Sequence, residues 1–184
     1  MILFLDFDGV LHGREVYVRA RQPYLRVDGA LFEHAGLLID ALAHREDVQI
    51  VLSTSWVPHL GFDRTKSFLP PELQRRVIGA TYHRHAGLHK REWLMLARYY
   101  QISTYVSRHG LADWIAVDDD DEGWPAAARH QLIHCHDDTA GISNQETLAV
   151  LRNRLCGGSL TQQQLRDTLD WIGRAFGGSG RGKQ

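Results

Sequence analysis

The chain opens Met1-Ile2-Leu3-Phe4-Leu5-Asp6-Phe7-Asp8-Gly9-Val10-Leu11-His12, an apolar run leading straight into two aspartates spaced by one. An unbroken apolar run rich in strand formers predicts a strand buried on both faces, as in a parallel sheet. Its acids then stand at the C-terminal end of the strand, where open α/β sheets hold their ligands. Two carboxylates so close repel strongly at low dielectric, so they require a cation or a shared proton. The stretch therefore reads as a metal and catalysis site.

Working outward, 184 residues suit one domain, expected over residues 1–176, with the Gly-rich stretch Gly177 to Gln184 as a disordered tail. With 43% hydrophobic and 23% charged residues the composition is that of a globular protein. A net charge of -1 gives no global pull toward nucleic acid, so polyanion binding would need a local patch. No run approaches the ~18 apolar residues of a membrane span, and the start lacks a signal-peptide pattern. Cys135 and Cys156 form no CxxC pair, which makes a reducing cytoplasm the expected location. A monomer is expected.

Residues 13–29 place Arg14, Arg19, Arg21 and Arg26 among Tyr17 and Tyr24, the pattern of a short basic flap or hairpin. Arg19 and Arg21 are its candidate phosphate contacts. Helical spacing of Phe32, Ala35, Leu38, Ile39 and Leu42 predicts a crossover helix over Leu31 to Arg45. Val48 to Leu52 reads as a second buried strand, capped by Ser53-Thr54-Ser55-Trp56, whose hydroxyls should face the first strand's aspartates. Residues 57–76 read as loop, with Pro70-Pro71 starting a short helix at Glu72. A third strand over Val77 to Thr81 precedes a cationic cluster of His83, Arg84, His85, His89, Lys90 and Arg91, then a helix from Lys90 to Tyr100. Ala112 to Val117 predicts a fourth strand, ending in Asp118 and Asp119 as the first ends in Asp6. Asp120, Asp121 and Glu122 read as an acidic surface turn. Leu132 to His136 is a fifth strand with structural His and Cys. Two core-covering helices follow, opened by capping boxes at Ser143/Glu146 and Thr161/Gln164.

The strand ends thus bring together Asp6, Asp8, the hydroxyls of Ser53 to Ser55, Asp118 and Asp119, with Lys90 at a helix start. This set resembles the haloacid dehalogenase (HAD) superfamily of phosphohydrolases. More closely, Phe4 to His12, Leu52 to Trp56 and Ala116 to Asp119 are similar to the small HAD domains of RNA-repair (Swiss Army Knife) proteins and their stand-alone bacterial relatives, over roughly residues 1–145. The resemblance implies a three-layer Rossmann-like α/β sandwich with a central, mostly parallel sheet and a minimal cap or none. It implies a Mg²⁺-dependent phosphatase acting on phosphomonoesters through an aspartyl-phosphate. Asp6 would be nucleophile, Asp8 general acid and base, Thr54 a donor to the phosphoryl group and Lys90 the balancing cation. Mg²⁺ would be held by Asp6, the Asp8 carbonyl, Asp118 and, through water, Asp119. Ser53 and Ser55 stand as alternatives to Thr54, and Arg91 to Lys90. Relatives often carry an arginine after the tryptophan of the second motif; this chain has Val57. A segment of about twenty residues after the first strand is too short for a helical cap, so the site is expected open, suiting a bulky phosphorylated partner such as a nucleic-acid end. A phosphotransferase, or a catalytically weak nucleic-acid or partner-binding module, would share these features.

Overall fold

The structure, a computed structural model, describes residues 1–26, 29–83 and 89–156. The expected helix at Thr161, the tail, the domain's C-terminal boundary, Arg84 and His85 lie outside them. Among the described residues no helix is long and apolar enough to cross a membrane.

The opening run forms β1 (Ile2–Leu5), every residue of it buried. It lies at the centre of a five-stranded parallel sheet with β4 (Gln49–Leu52), β5 (Val77–Ala80), β6 (Trp114–Asp118) and β7 (Leu132–His134), in the order β5-β4-β1-β6-β7. Side chains alternate across a strand. Leu3 and Leu5 therefore join one core with Leu38, Leu42, Leu151 and Leu155, while Ile2 and Phe4 join another with Ile102, Trp114 and Trp124. Two separate cores on one sheet make the three layers expected from the sequence. Phe4, fully buried, meets Tyr105 and Trp114 edge-on, each at 5.6 Å between ring centres. Burying such a side chain contributes about 1.5–3 kcal/mol.

Register decides the site. Leu5 pairs with Leu52 on one side and with Val117 on the other. The next residues, Asp6, Ser53 and Asp118, consequently emerge side by side at the C-terminal ends. The turn after β1 is closed by Val10 and Leu11 N–H donating to the Phe7 carbonyl, with Gly9 at φ +68°. On its far side Ile142 N–H donates to the Val10 carbonyl at 3.0 Å, and a Cβ on Gly141 would stand 2.3 Å from that oxygen.

Several elements differ from expectation. The crossover helix α1 is only Ala35–Ala41; it starts after Phe32, whose left-handed φ of +62° is incompatible with a helix and whose N–H goes to the His12 ring. Residues 57–76 hold three short helices, α2 (Trp56–Leu60), α3 (Phe62–Ser67) and α4 (Pro71–Gln74). Pro58 lies in the first turn of α2, where its missing N–H costs nothing. The helix expected over Lys90 to Tyr100 is two, α5 (Lys90–Leu94) and α6 (Arg98–His109). Buried Gln101 donates through its amide to the Trp93 and Leu96 carbonyls, holding the break open, and Gly110 in the left-handed region ends α6. The cap of α7 (Gln145–Leu155) is Asn144, one residue past Ser143, accepting from Glu146 and Thr147 N–H. The flap is an antiparallel hairpin of β2 (Val16–Arg19) and β3 (Gln22–Leu25), turned by Ala20 and Arg21, both at positive φ.

Candidate active site

Asp6 leaves β1 with its side chain buried. Its Oδ1 accepts the Phe7 N–H at 2.7 Å and its Oδ2 accepts from Arg98 Nη2 at 2.9 Å, while the neighbouring Thr54 hydroxyl acts to lower its pKa. Asp118, fully buried at the end of β6, accepts the Asp120 N–H on Oδ1 and stands 2.9 Å from Arg98 Nε through Oδ2, an ion pair whose alignment makes no hydrogen bond. Ligand atoms of Asp6, Asp118 and Asp119 all lie within 4.8 Å of one another. Burial, and secondarily neighbouring carboxylates, push all three above the usual carboxylate range, Asp119 to about 7. Arg98 opposes the shift in each. Two cations, buried Arg98 and the largely exposed Arg14 on Asp119, facing three acids leave negative charge uncompensated, with a buried carboxylate oxygen lacking an aligned donor. An all-oxygen donor set in that condition fits a hard divalent cation.

Gly9 is what lets the two acidic loops meet. A Cβ there would fall 2.6 Å from Asp119 Oδ2, in a conformation that L side chains rarely adopt.

The buried cation at the acids is Arg98. It opens α6, donates from Nη1 to the Ser53 carbonyl, and so ties the ends of β1, β4 and β6 together. Burial acts to lower its pKa, but Asp118 and Asp6 outweigh this and raise it. Lys90 sits instead at the start of α5, half-buried, forming no ion pair with these acids; its charge acts on His59, which burial and then Lys90 depress. Arg91 is exposed. The sequence signal for Arg98 was the helical stretch that Gly110 terminates just before β6, which the pattern of Trp93, Leu94, Ala97 and Tyr100 obscured.

Of the three hydroxyls, the structure brings Thr54 to Asp6; its Oγ1 also accepts the Trp56 N–H at 3.3 Å. Ser53 is buried beside it, its Oγ without a hydrogen-bond partner, and Ser55 is half-buried at the head of α2. Val57 packs into the core.

Asp8 is held apart from the acid cluster. Trp56 Nε1 donates to both its oxygens, at 2.9 Å to Oδ1 and 3.1 Å to Oδ2, and His12 Nε2 lies 3.2 Å from Oδ1. Two carboxylates spaced by one residue thus occupy different environments, a buried one set against cations and a partly exposed one held by neutral donors.

The hairpin arginines do not reach these acids. Arg19 is exposed, and Arg21 donates to the Leu60 carbonyl while its own carbonyl accepts from Arg64. The hairpin therefore leans on α2 and α3, and Arg21 lines a cavity of about 850 Å³ with His59, Arg64, Tyr82, His83 and Tyr105. Pro58 borders both this cavity and a small one lined by Thr54, Ser55, Arg98 and Asp120. From the basic segment it is Arg14 that approaches the acids, 3.5 Å from Asp119 and 3.3 Å from Asp138. Asp121 pairs with Arg129 at the surface. His134 donates to the Asp119 carbonyl, a structural role.

No curated protein and no solved structure gave a match to the chain. A match to a protein family covers residues 2–147, from the first residue of β1 into the first turns of α7. The chain belongs to the family described as the HAD domain in Swiss Army Knife RNA repair proteins.

Proposed function

We propose that the protein is a Mg²⁺-dependent phosphatase that hydrolyses phosphomonoesters through a phosphorylated Asp6. The observation carrying this reading is the division of labour between Asp6, buried against Arg98, Thr54 and two further acids, and Asp8, held separately by Trp56.

In the first step an Asp6 carboxylate oxygen attacks phosphorus, the bond to the leaving oxygen breaks, and the Asp8 carboxyl gives that oxygen its proton. In the second, water attacks the acyl-phosphate phosphorus, Asp8 takes the water's proton, and the Asp6–phosphorus bond breaks to free phosphate. Splitting one displacement into two is the usual gain from a carboxylate nucleophile, and proton transfer by Asp8 is worth ~10²–10⁴-fold. Asp6 must be ionised to attack, and Arg98 opposes the effect of its burial. Thr54 would donate to the transferring group. Asp6, Asp118 and Asp119, with the Asp8 carbonyl, would hold the ion, which supplies compensation for the negative charge of acids and phosphate.

For the substrate we favour a phosphorylated nucleic-acid end. The cavity beyond Pro58 offers arginine and histidine beside Tyr82 and Tyr105, a combination suited to backbone charge and base stacking, and the family description names RNA repair.

The test is phosphate release with Mg²⁺ from p-nitrophenyl phosphate, nucleotides and 3′- or 5′-phosphorylated oligonucleotides, with Asp6→Asn alongside. Turnover by the wild type, abolished in the variant, is expected. Release that survives in Asp6→Asn would overturn the nucleophile assignment, and no release from any substrate would favour a binding module.

A further inference from the structure

His12 has no part in the mechanism above, yet it is completely buried and polar on both sides of its ring. The turn that Gly9 makes brings it back beside Asp8, four residues earlier. Its Nδ1 accepts the Phe32 N–H at 3.3 Å, and its Nε2 lies 3.2 Å from Asp8 Oδ1. A backbone N–H can only donate, so Nδ1 must carry the lone pair. The proton of the neutral ring therefore resides on Nε2, where it points at Asp8. Phe32 makes this possible by adopting a left-handed φ of +62°, which an aromatic residue avoids unless its surroundings hold it there. The ring itself is packed between Phe32, at 4.9 Å, and Trp56, at 5.8 Å.

Resting on the phosphatase reading, we infer that His12, with its tautomer fixed by the Phe32 N–H, is a positioning residue that works with Trp56 to pin Asp8 Oδ1 and so present Oδ2 as the oxygen that exchanges protons. Oδ1 receives the Nε2–H and the closer contact of the indole N–H, whereas Oδ2 has only the longer share of the indole bond. Asp8 is about a quarter exposed, its environment open enough for a leaving group to approach. Trp56 alone would hold the carboxylate by a forked bond about which it can pivot. His12 removes that pivot.

A group that orients a general acid matters in proportion to how badly the leaving group needs a proton. The test compares kcat/KM, which reports phosphoryl transfer to Asp6, for p-nitrophenyl phosphate and for a simple alkyl phosphate. His12→Phe keeps the aromatic packing and removes the donor; His12→Asn keeps a polar group near Phe32 but is too short to reach Asp8; His12→Gln carries an amide N–H near the Nε2 position. The first two should lose roughly 10-fold or more on the alkyl ester and at most roughly 3-fold on the nitrophenyl ester, with His12→Gln restoring much of the difference. If His12→Phe does not fold, His12→Asn must show the same difference. Equal losses on both esters, or none, would overturn the inference and leave the phosphatase reading intact; no turnover by the wild type would sink both. An imidazole ¹⁵N spectrum of the wild type should show Nε2 protonated and Nδ1 bare, and the opposite tautomer would refute the assignment.

Discussion

Replacing Asp119 by asparagine should make the metal-free protein more stable at neutral pH, and the gain should vanish in acid. Burial first, then the charge of Asp6, carries this carboxyl from 3.8 to about 7. Between those values the native state keeps a proton that the unfolded chain has released, so stability falls as pH rises through the window. Moving a carboxyl that far corresponds to about 4 kcal/mol; solvent on its outer side reduces this to about 2 kcal/mol above pH 7. Asparagine preserves the shape that fills the space over Gly9, so the comparison isolates the charge. Urea unfolding in EDTA at pH 4, 6 and 8 measures it: the two proteins should coincide at pH 4 and separate progressively above. Mg²⁺ at a hundred times its Kd should then stabilise the wild type by about 2.7 kcal/mol and the variant by less. A variant no more stable than wild type at pH 8, or equally stabilised at pH 4, would refute the account of an acid cluster short of positive charge.

Two other substitutions probe the same assembly. Arg98→Lys keeps a cation but cannot contact Asp6 and Asp118 through separate nitrogens while donating to the Ser53 carbonyl; phosphatase kcat should drop roughly 10²-fold, and recovery to near wild-type rates would show that charge alone suffices. Gly9→Ala places a Cβ in a left-handed conformation and against Asp119, so it should lower stability in thermal unfolding by about 1–3 kcal/mol and weaken Mg²⁺ binding in a calorimetric titration, whereas normal binding would mean the two loops can separate freely.

The centre of the sheet was legible because parallel strands buried on both faces are written as unbroken apolar runs, and β1, β4 and β6 each lead into residues of the candidate site. Asp6, Asp118 and Asp119 could be placed from that alone. Arg98 could not. Its helix is separated from α5 by Gln101 reaching back to the Trp93 and Leu96 carbonyls, a contact that side-chain periodicity does not encode. The same holds for Phe32: its spacing suits a helix, but the buried His12 ring captures its N–H. The basic hairpin was visible as charge and turn, yet it is Arg14, ahead of β2, that faces the acids, because its N–H donates to the Asp138 carbonyl, a long-range contact that local sequence does not encode.

The contrast between the two flanks of the turn after β1 bears on how such a domain could be diversified. Where Gly141 is pressed against the Val10 carbonyl there is no slack, and added chain would pry the turn after β1 away from Asp118 and Asp119. At the hairpin tip, Ala20 and Arg21 are exposed and join two strands that pair only with each other. Chain spliced in at that tip would disturb the contacts of Arg21 with Leu60 and Arg64 before it reached the acids. The fold thus tolerates extension at the hairpin tip far better than at the turn that carries Asp6 and Asp8.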